Sequence, residues 1–149
     1  MPGETKHGPL RFVVPGNPIP WERARTRRGR YYTPKRTKGY QAAVQVSALM
    51  AQARPKAEVP IRLTVAFYRQ DRQPCDLDNL AKTVQDALNG IAYRDDRQIV
   101  VLSASKVVDA ARPRAEVVVE YLADEAVGGG LDQALEDHED ATAEKARTA

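Results

Sequence analysis

A chain of 149 residues, 42% of them hydrophobic, has material for one compact core and is short for two. Its longest apolar runs, such as Ile99 to Leu102, fall far below the roughly 20 residues that span a bilayer, so no membrane segment is expected. Residues 1 to 122 carry 21 Lys and Arg against 12 Asp and Glu, whereas 123 to 149 carry 2 against 8. The opening residues lack the apolar stretch of a secretory signal, and the single cysteine, Cys75, cannot close an internal disulfide; both fit a reducing cytoplasm. A basic body with an acidic appendage suggests a domain that binds a polyanion. The appendage, with only Val127, Leu131 and Leu135 as large apolar residues, is expected to be disordered, either as a mimic of the polyanion or as a solubilising tail.

In chain order, Leu10-Arg11-Phe12-Val13-Val14 reads as a strand, halted by Pro15-Gly16-Asn17-Pro18-Ile19-Pro20. From Arg23 to Lys38 come eight basic residues and no acidic one, with Tyr31 and Tyr32 among them, which reads as a mobile basic loop or ribbon outside the core. Thr33-Pro34 offers a helix start, with Thr33 as N-cap and Pro34 as first helical residue, the helix running to about Ala51. After Pro60, apolar residues alternate from Ile61 to Tyr68 in the pattern of a half-buried strand. A polar loop, Arg69 to Cys75, leads to Asp76 and a second helix from Asp78 to about Asn89, closed by Gly90. On it, Leu77, Leu80, Val84, Ala87, Leu88 and Ile91 share one side, while Asp78, Lys82 and Asp86 line the other. Asp95-Asp96 turns into a strand from Gln98 to about Val107, and Ala115 to Leu122 forms another; these two are expected to pair antiparallel. Residues 1–122 thus read as one domain and 123–149 as its tail.

Asp76, Asp78, Asp86, Asp95 and Asp96 place five carboxylates within 21 positions of an otherwise basic body. Gathered carboxylates repel one another unless a cation sits between them. Mg²⁺ suits an oxygen-only set and keeps several waters, so two or three aspartates and a substrate phosphate suffice. No His or Cys cluster suggests zinc. An EF-hand loop is excluded, because its fifth and sixth positions need an oxygen ligand and glycine where this chain has Leu80 and Ala81. The same residues also fit a structural reading: Asp78 caps the helix, Lys82 pairs with Asp78 and Asp86, and Asp95-Asp96 is an ordinary turn. Spacing leaves both open. The basic body favours the metal reading, since a metal beside phosphate can promote attack by water and stabilise an in-line displacement. Lys82, one turn beyond Asp78, stands where an ammonium can orient that water or neutralise the transition state.

The segment Asp76-Leu77-Asp78-Asn79-Leu80-Ala81-Lys82, followed by Asp86-Ala87-Leu88-Asn89-Gly90 and Asp95-Asp96-Arg97-Gln98-Ile99, resembles the RusA-type Holliday junction resolvases in order and spacing. Gly16-Asn17-Pro18-Ile19-Pro20, Arg23-Ala24-Arg25 and Tyr32-Thr33-Pro34-Lys35 are similar to the N-terminal part of that family, and Lys106 falls where the family has a lysine. The resemblance covers about residues 10 to 122. It implies an α+β fold with a mixed sheet flanked by helices, a homodimer, and dependence on Mg²⁺ with Mn²⁺ able to substitute. It also implies paired symmetric nicks across four-way DNA junctions in recombination and repair, in a bacterium, phage or prophage. By the same resemblance Asp76, Asp78 and Asp96 are metal-binding catalytic carboxylates, Lys82 is the catalytic lysine, and Asp86 and Asp95 are supporting groups. Trp21-Glu22 departs from the family, whose members often carry a basic residue and a glycine there, and the acidic tail is not part of the family core.

Arg23, Arg25, Arg27, Arg28, Arg30, Lys35, Arg36 and Lys38 suit phosphate neutralisation, with Lys106 joining them through the resemblance. Tyr31 or Tyr32 suits stacking on an unpaired base at a branch point; a solvated flexible loop is the alternative. Trp21 reads as a packing anchor, and Cys75 has no histidine in its sequence context to make it a nucleophile. The leading function is a junction-resolving endonuclease. Its rivals are a branched-DNA-binding protein that does not cut and a nuclease with broader taste for flaps and forks.

Overall fold

The structure is a computed structural model that describes residues 8–123; apart from Ala123, the acidic segment expected as a tail lies outside the described residues. In chain order the elements are β1 (Leu10–Pro15), β2 (Arg25–Arg27), β3 (Arg30–Tyr32), α1 (Lys35–Met50), β4 (Ile61–Arg69), α2 (Leu77–Leu88), a 3₁₀ turn (Asp96–Gln98), β5 (Ile99–Val108) and β6 (Arg114–Tyr121). Four strands form a mixed sheet in the order β1-β6-β4-β5, and β2 with β3 makes a separate two-stranded ribbon. The result is the single α+β domain that the sequence suggests.

β4 shows why the sheet forms. Ile61, Leu63, Val65 and Phe67 alternate with Arg62, Thr64, Ala66 and Tyr68, so one face of the strand is buried and the other half-buried. Phe12 and Val14 of β1 and Ala115, Val117 and Val119 of β6 continue the buried face. Against it lie Tyr40, Val44 and Ala48 of α1 and Leu80, Val84, Ala87 and Leu88 of α2. Each large side chain buried here is worth about 1.5–3 kcal/mol in transfer free energy. β4 and β5 are parallel and therefore need a crossover between them, which α2 supplies.

The expected antiparallel pairing of the last two strands does not occur. β5 pairs parallel with β4 alone, while β6 lies between β1 and β4, antiparallel to both. The physical reason lies in composition: β6 offers fully buried Ala115, Val117 and Val119 to a central position, whereas β5 is interrupted by Ser103, Ser105 and Lys106 and takes the edge. The start of α1 is also displaced. Pro34, not Thr33, is the N-cap, in an extended conformation with its carbonyl accepting from Lys38 N–H at 3.1 Å. Nor does the whole basic segment lie outside the core, because Thr37 is fully buried and its hydroxyl donates to the Pro20 carbonyl at 3.3 Å. Gly90 closes α2 as expected, at φ +76°, with its N–H donating to the Tyr93 carbonyl.

Candidate active site

The βαβ crossover presents one end of α2 beside the ends of β4 and β5. At that end Arg69 is buried and its Nη1 donates to the Gln73 carbonyl at 2.8 Å, folding the polar loop back on itself. Lys106 reaches from β5 to donate to the Cys75 carbonyl. Two strands thus hold the loop that delivers Asp76 to the helix N-cap.

Asp76 occupies the cap position without using its carboxylate as a cap. Instead its Oδ2 accepts from Asn79 Nδ2 at 3.4 Å, while Asp78 Oδ1 accepts from Asn79 N–H at 3.0 Å. Both carboxylates are exposed on the helix N-terminus, whose partial positive charge favours anions. Lys82 does not complete the salt-bridge ladder of the structural reading: among the described residues no ion pair joins it to Asp78 or Asp86. Its Nζ lies 3.8 Å from the centroid of the Trp21 ring. Trp21 is fixed in turn by its N–H donating to the Asn79 carbonyl at 2.9 Å. Trp21 is half-buried and outside the core cluster, so what the structure gives it is the contact with Lys82.

The far end of α2 carries Asp86 near Asp96. Burial pushes the Asp86 carboxyl above its ordinary range; nearby Lys82 opposes this and the negative charge of Asp96 adds to it. Tyr93, buried beneath both, is pushed up by burial first and then by Asp96 and Asp86. Asp95 is engaged differently. Its carboxylate accepts from Arg97 N–H at 2.9 Å and Arg97 Nε at 3.1 Å, and these bonds hold its carboxyl below the ordinary range. The Gln98 side chain returns the bond to Asp95 N–H at 3.1 Å, closing a capping box on the 3₁₀ turn.

Asp76 and Asp78 thus lie at one end of a 12-residue helix, and Asp86 with Asp96 at the other. At a rise of 1.5 Å per residue, the eight steps from Asp78 to Asp86 span about 12 Å. Among the described residues, no three His, Cys, Asp or Glu side chains converge on a point where they could hold a metal. The donor chemistry nonetheless suits a hard cation, because the carboxylates offer oxygen only.

The segment that follows Trp21 is rich in cations. Arg23, Arg25, Arg27, Arg28, Arg30, Lys35 and Arg36 are all exposed, on or beside the β2–β3 ribbon. Glu22 ties the ribbon down, lying 3.7 Å from Arg25 and 3.9 Å from Arg36. A cavity of about 210 Å³, lined in part by Arg69, Arg72 and Lys106, opens by the polar loop. Arg69 escapes the sequence reading, although it falls in phase with Ile61, Leu63, Val65 and Phe67, and that phase was the available signal. The Trp21–Lys82 contact joins distant segments and leaves no mark in local sequence.

Carboxylates and a lysine on a crossover helix, next to an arginine-bearing ribbon, define a small α+β protein equipped to act on a polyanion. The family model described as endodeoxyribonuclease RusA matches residues 15–120, and the chain belongs to that endodeoxyribonuclease family. It is also similar to the Bacillus subtilis (strain 168) protein YqaN, which is described as uncharacterized: 28% identity over 135 residues, covering 74% of this chain and 94% of that protein. No helix in the described residues is long and apolar enough to cross a membrane.

Proposed function

We propose that the protein is a Mg²⁺-dependent endonuclease that resolves four-way DNA junctions by paired symmetric nicks, in DNA recombination and repair. The observation that carries this reading is the position of Asp76, Asp78 and Lys82 on the exposed first turns of α2, in contact with Trp21 just ahead of the basic ribbon and within the segment that matches the family. Asp76, Asp78 and Asp96 would hold the metal, which when bound supplies positive charge to the scissile phosphate and promotes attack by water. Lys82, held by Trp21, meets the charge that develops on the phosphate. Asp86 supports Asp96, and Asp95 fixes the turn that carries it. Lys106 braces the loop before Asp76 and, with the ribbon arginines, adds positive charge for the DNA backbone.

The separation of the carboxylates along α2 supports a homodimer. Two copies related by a two-fold axis exchange opposite ends, so the Asp96 end of one can meet the Asp76–Asp78 end of its partner. β5 is one of the two sheet edges and the one beside the crossover, with Leu102, Val107 and Val108 exposed on it.

The test is cleavage of synthetic four-way, forked and linear DNA by the full chain across a Mg²⁺ titration. Paired nicks in the four-way junction are expected, with none in EDTA; equal cutting of forks would widen the substrate class. Asp76→Asn, Asp78→Asn and Asp96→Asn should each abolish cleavage while leaving junction binding intact or stronger, because each change removes a ligand and a charge that repels DNA. Lys82→Ala should lose most activity but keep metal affinity. Cleavage by Asp78→Asn at the unmutated rate would overturn the assignment.

A further inference from the structure

The β2–β3 ribbon turns through Arg28 and Gly29, whose φ values of 52° and 75° match the turn geometry that suits the twist of a hairpin. Its register pairs Arg25 with Tyr32, Thr26 with Tyr31, and Arg27 with Arg30. Directly paired residues, and residues two apart on one strand, share a face of a ribbon. One face therefore carries Arg25, Arg27, Arg30 and Tyr32, and the other Thr26 and Tyr31. A groove of about 620 Å³ lined by Arg27, Arg28, Arg30 and Tyr32 lies on the first face.

Each face lacks something that a ligand would supply. Arg27 and Arg30 stand directly opposite each other, and like charges in that arrangement destabilise a ribbon that, as an isolated two-stranded hairpin, is marginal to begin with. Phosphate on that face converts the repulsion into binding. On the other face Tyr31 is 81% exposed, so most of its ring is turned to water. Tyr32, by contrast, is 41% exposed and shares its groove with arginines. Just before the ribbon, Trp21 bonds Asn79 and covers Lys82 at the proposed catalytic end of α2, while Glu22 sits between Arg25 of the ribbon and Arg36 of α1.

We propose that the ribbon has two functional faces: Arg25, Arg27 and Arg30 grip the phosphates of one DNA arm, while Tyr31, on the opposite face, stacks on a base exposed at the branch point. Tyr31, and not Tyr32, then sets the preference for branched over linear DNA. The assignment rests on the endonuclease reading above and adds the element that recognises the branch.

The experiment measures binding of the full chain, in EDTA, to a four-way junction and to a linear duplex with the same arm sequence, across a salt series. Tyr31→Ala should weaken junction binding roughly tenfold, the loss expected for one stacked base, and leave duplex affinity and the salt slope unchanged. Tyr31→Phe should retain the preference. Arg27→Ala and Arg30→Ala should each weaken both DNAs and make the log–log salt dependence shallower by about 0.9, one phosphate contact apiece. Equal loss on both DNAs with Tyr31→Ala, or loss of the preference with Tyr32→Ala alone, would overturn the two-faced assignment. Cleavage in Mg²⁺ separates the two readings. Tyr31-dependent discrimination without any cutting overturns the catalytic reading alone; junction cutting with no effect of Tyr31→Ala on the preference overturns the ribbon assignment alone.

Discussion

Asp86 and Asp95 both have Asp96 as a neighbour and respond to pH with opposite signs. Asp86 holds its proton more tightly in the fold than in the unfolded chain, because burial, with Asp96 nearby, opposes its ionisation more than Lys82 favours it. Its charge therefore costs stability at neutral pH. In metal-free protein, Asp86→Asn should raise Tm at pH 7, and the gain should shrink as pH falls through the raised value, where the original carboxyl is itself neutral. A lower Tm at pH 7 would mean that attraction to Lys82 outweighs burial. Asp95, held below its ordinary range by Arg97, contributes stability that is present above the unfolded value of about 3.9 and lost as pH falls through the lower folded value. Asp95→Ala should thus lower Tm at pH 7 and matter less in acid. Trp21 calls for a different measurement. If its ring holds Lys82 in place, Trp21→Phe should keep most activity, whereas Trp21→Leu should lower kcat about two- to fivefold, the worth of an exposed cation–π contact, with KM unchanged. A KM effect of equal size in both variants would assign Trp21 to DNA binding instead.

Among the elements, those with a clear period were legible in the sequence, and those defined by long-range pairing were not. The alternation Ile61 to Tyr68 and the apolar stripe Leu80, Val84, Ala87, Leu88 specify β4 and the buried side of α2 without further information. The same stripe puts Asp78 and Lys82 on the outer side, so the candidate site on α2 was legible too. The neighbours of β5 and β6 were not, because both are short apolar runs and only their burial in the sheet separates the edge from the centre. The ribbon was legible only as a basic loop or ribbon, since Arg28 at positive φ is not a residue that signals a hairpin turn. Gly90 gives an element-scale test of the α2 terminus: at φ +76° an alanine there should destabilise the fold by about 1 kcal/mol, read as a shift in the denaturation midpoint. An unchanged midpoint would mean that the end of α2 relaxes freely, which would loosen the placement of Asp86 relative to Asp96.

At the scale of the whole molecule, the proposed metal site asks how Asp76 and Asp78 at one end of α2 could act with Asp96, which lies by the other end. A helix of 12 residues is rigid on this scale, and the hydrogen bonds of Asp95 and Gln98 anchor the turn that carries Asp96, so neither end can swing across to the other. On the proposed function, a second copy in antiparallel relation would remove the difficulty and would supply the second of the two cuts that a four-way junction needs. Light scattering should accordingly report a dimer of the 16.5 kDa chain. The decisive experiment mixes two inactive variants, Asp78→Asn and Asp96→Asn, after unfolding and refolding them together. If the site is shared between copies, each mixed dimer contains one site with both defects and one with none, and nicking activity returns. If each copy carries a complete site, every site in the mixture keeps a defect and activity stays absent. The recovered activity should produce single nicks and not paired ones, because only one site per mixed dimer is intact, and a nicked junction can be told from a resolved one on a native gel. Full absence of recovery alongside a proven mixed dimer would confine the metal site to one chain and require Asp96 to act at a distance from Asp76 and Asp78.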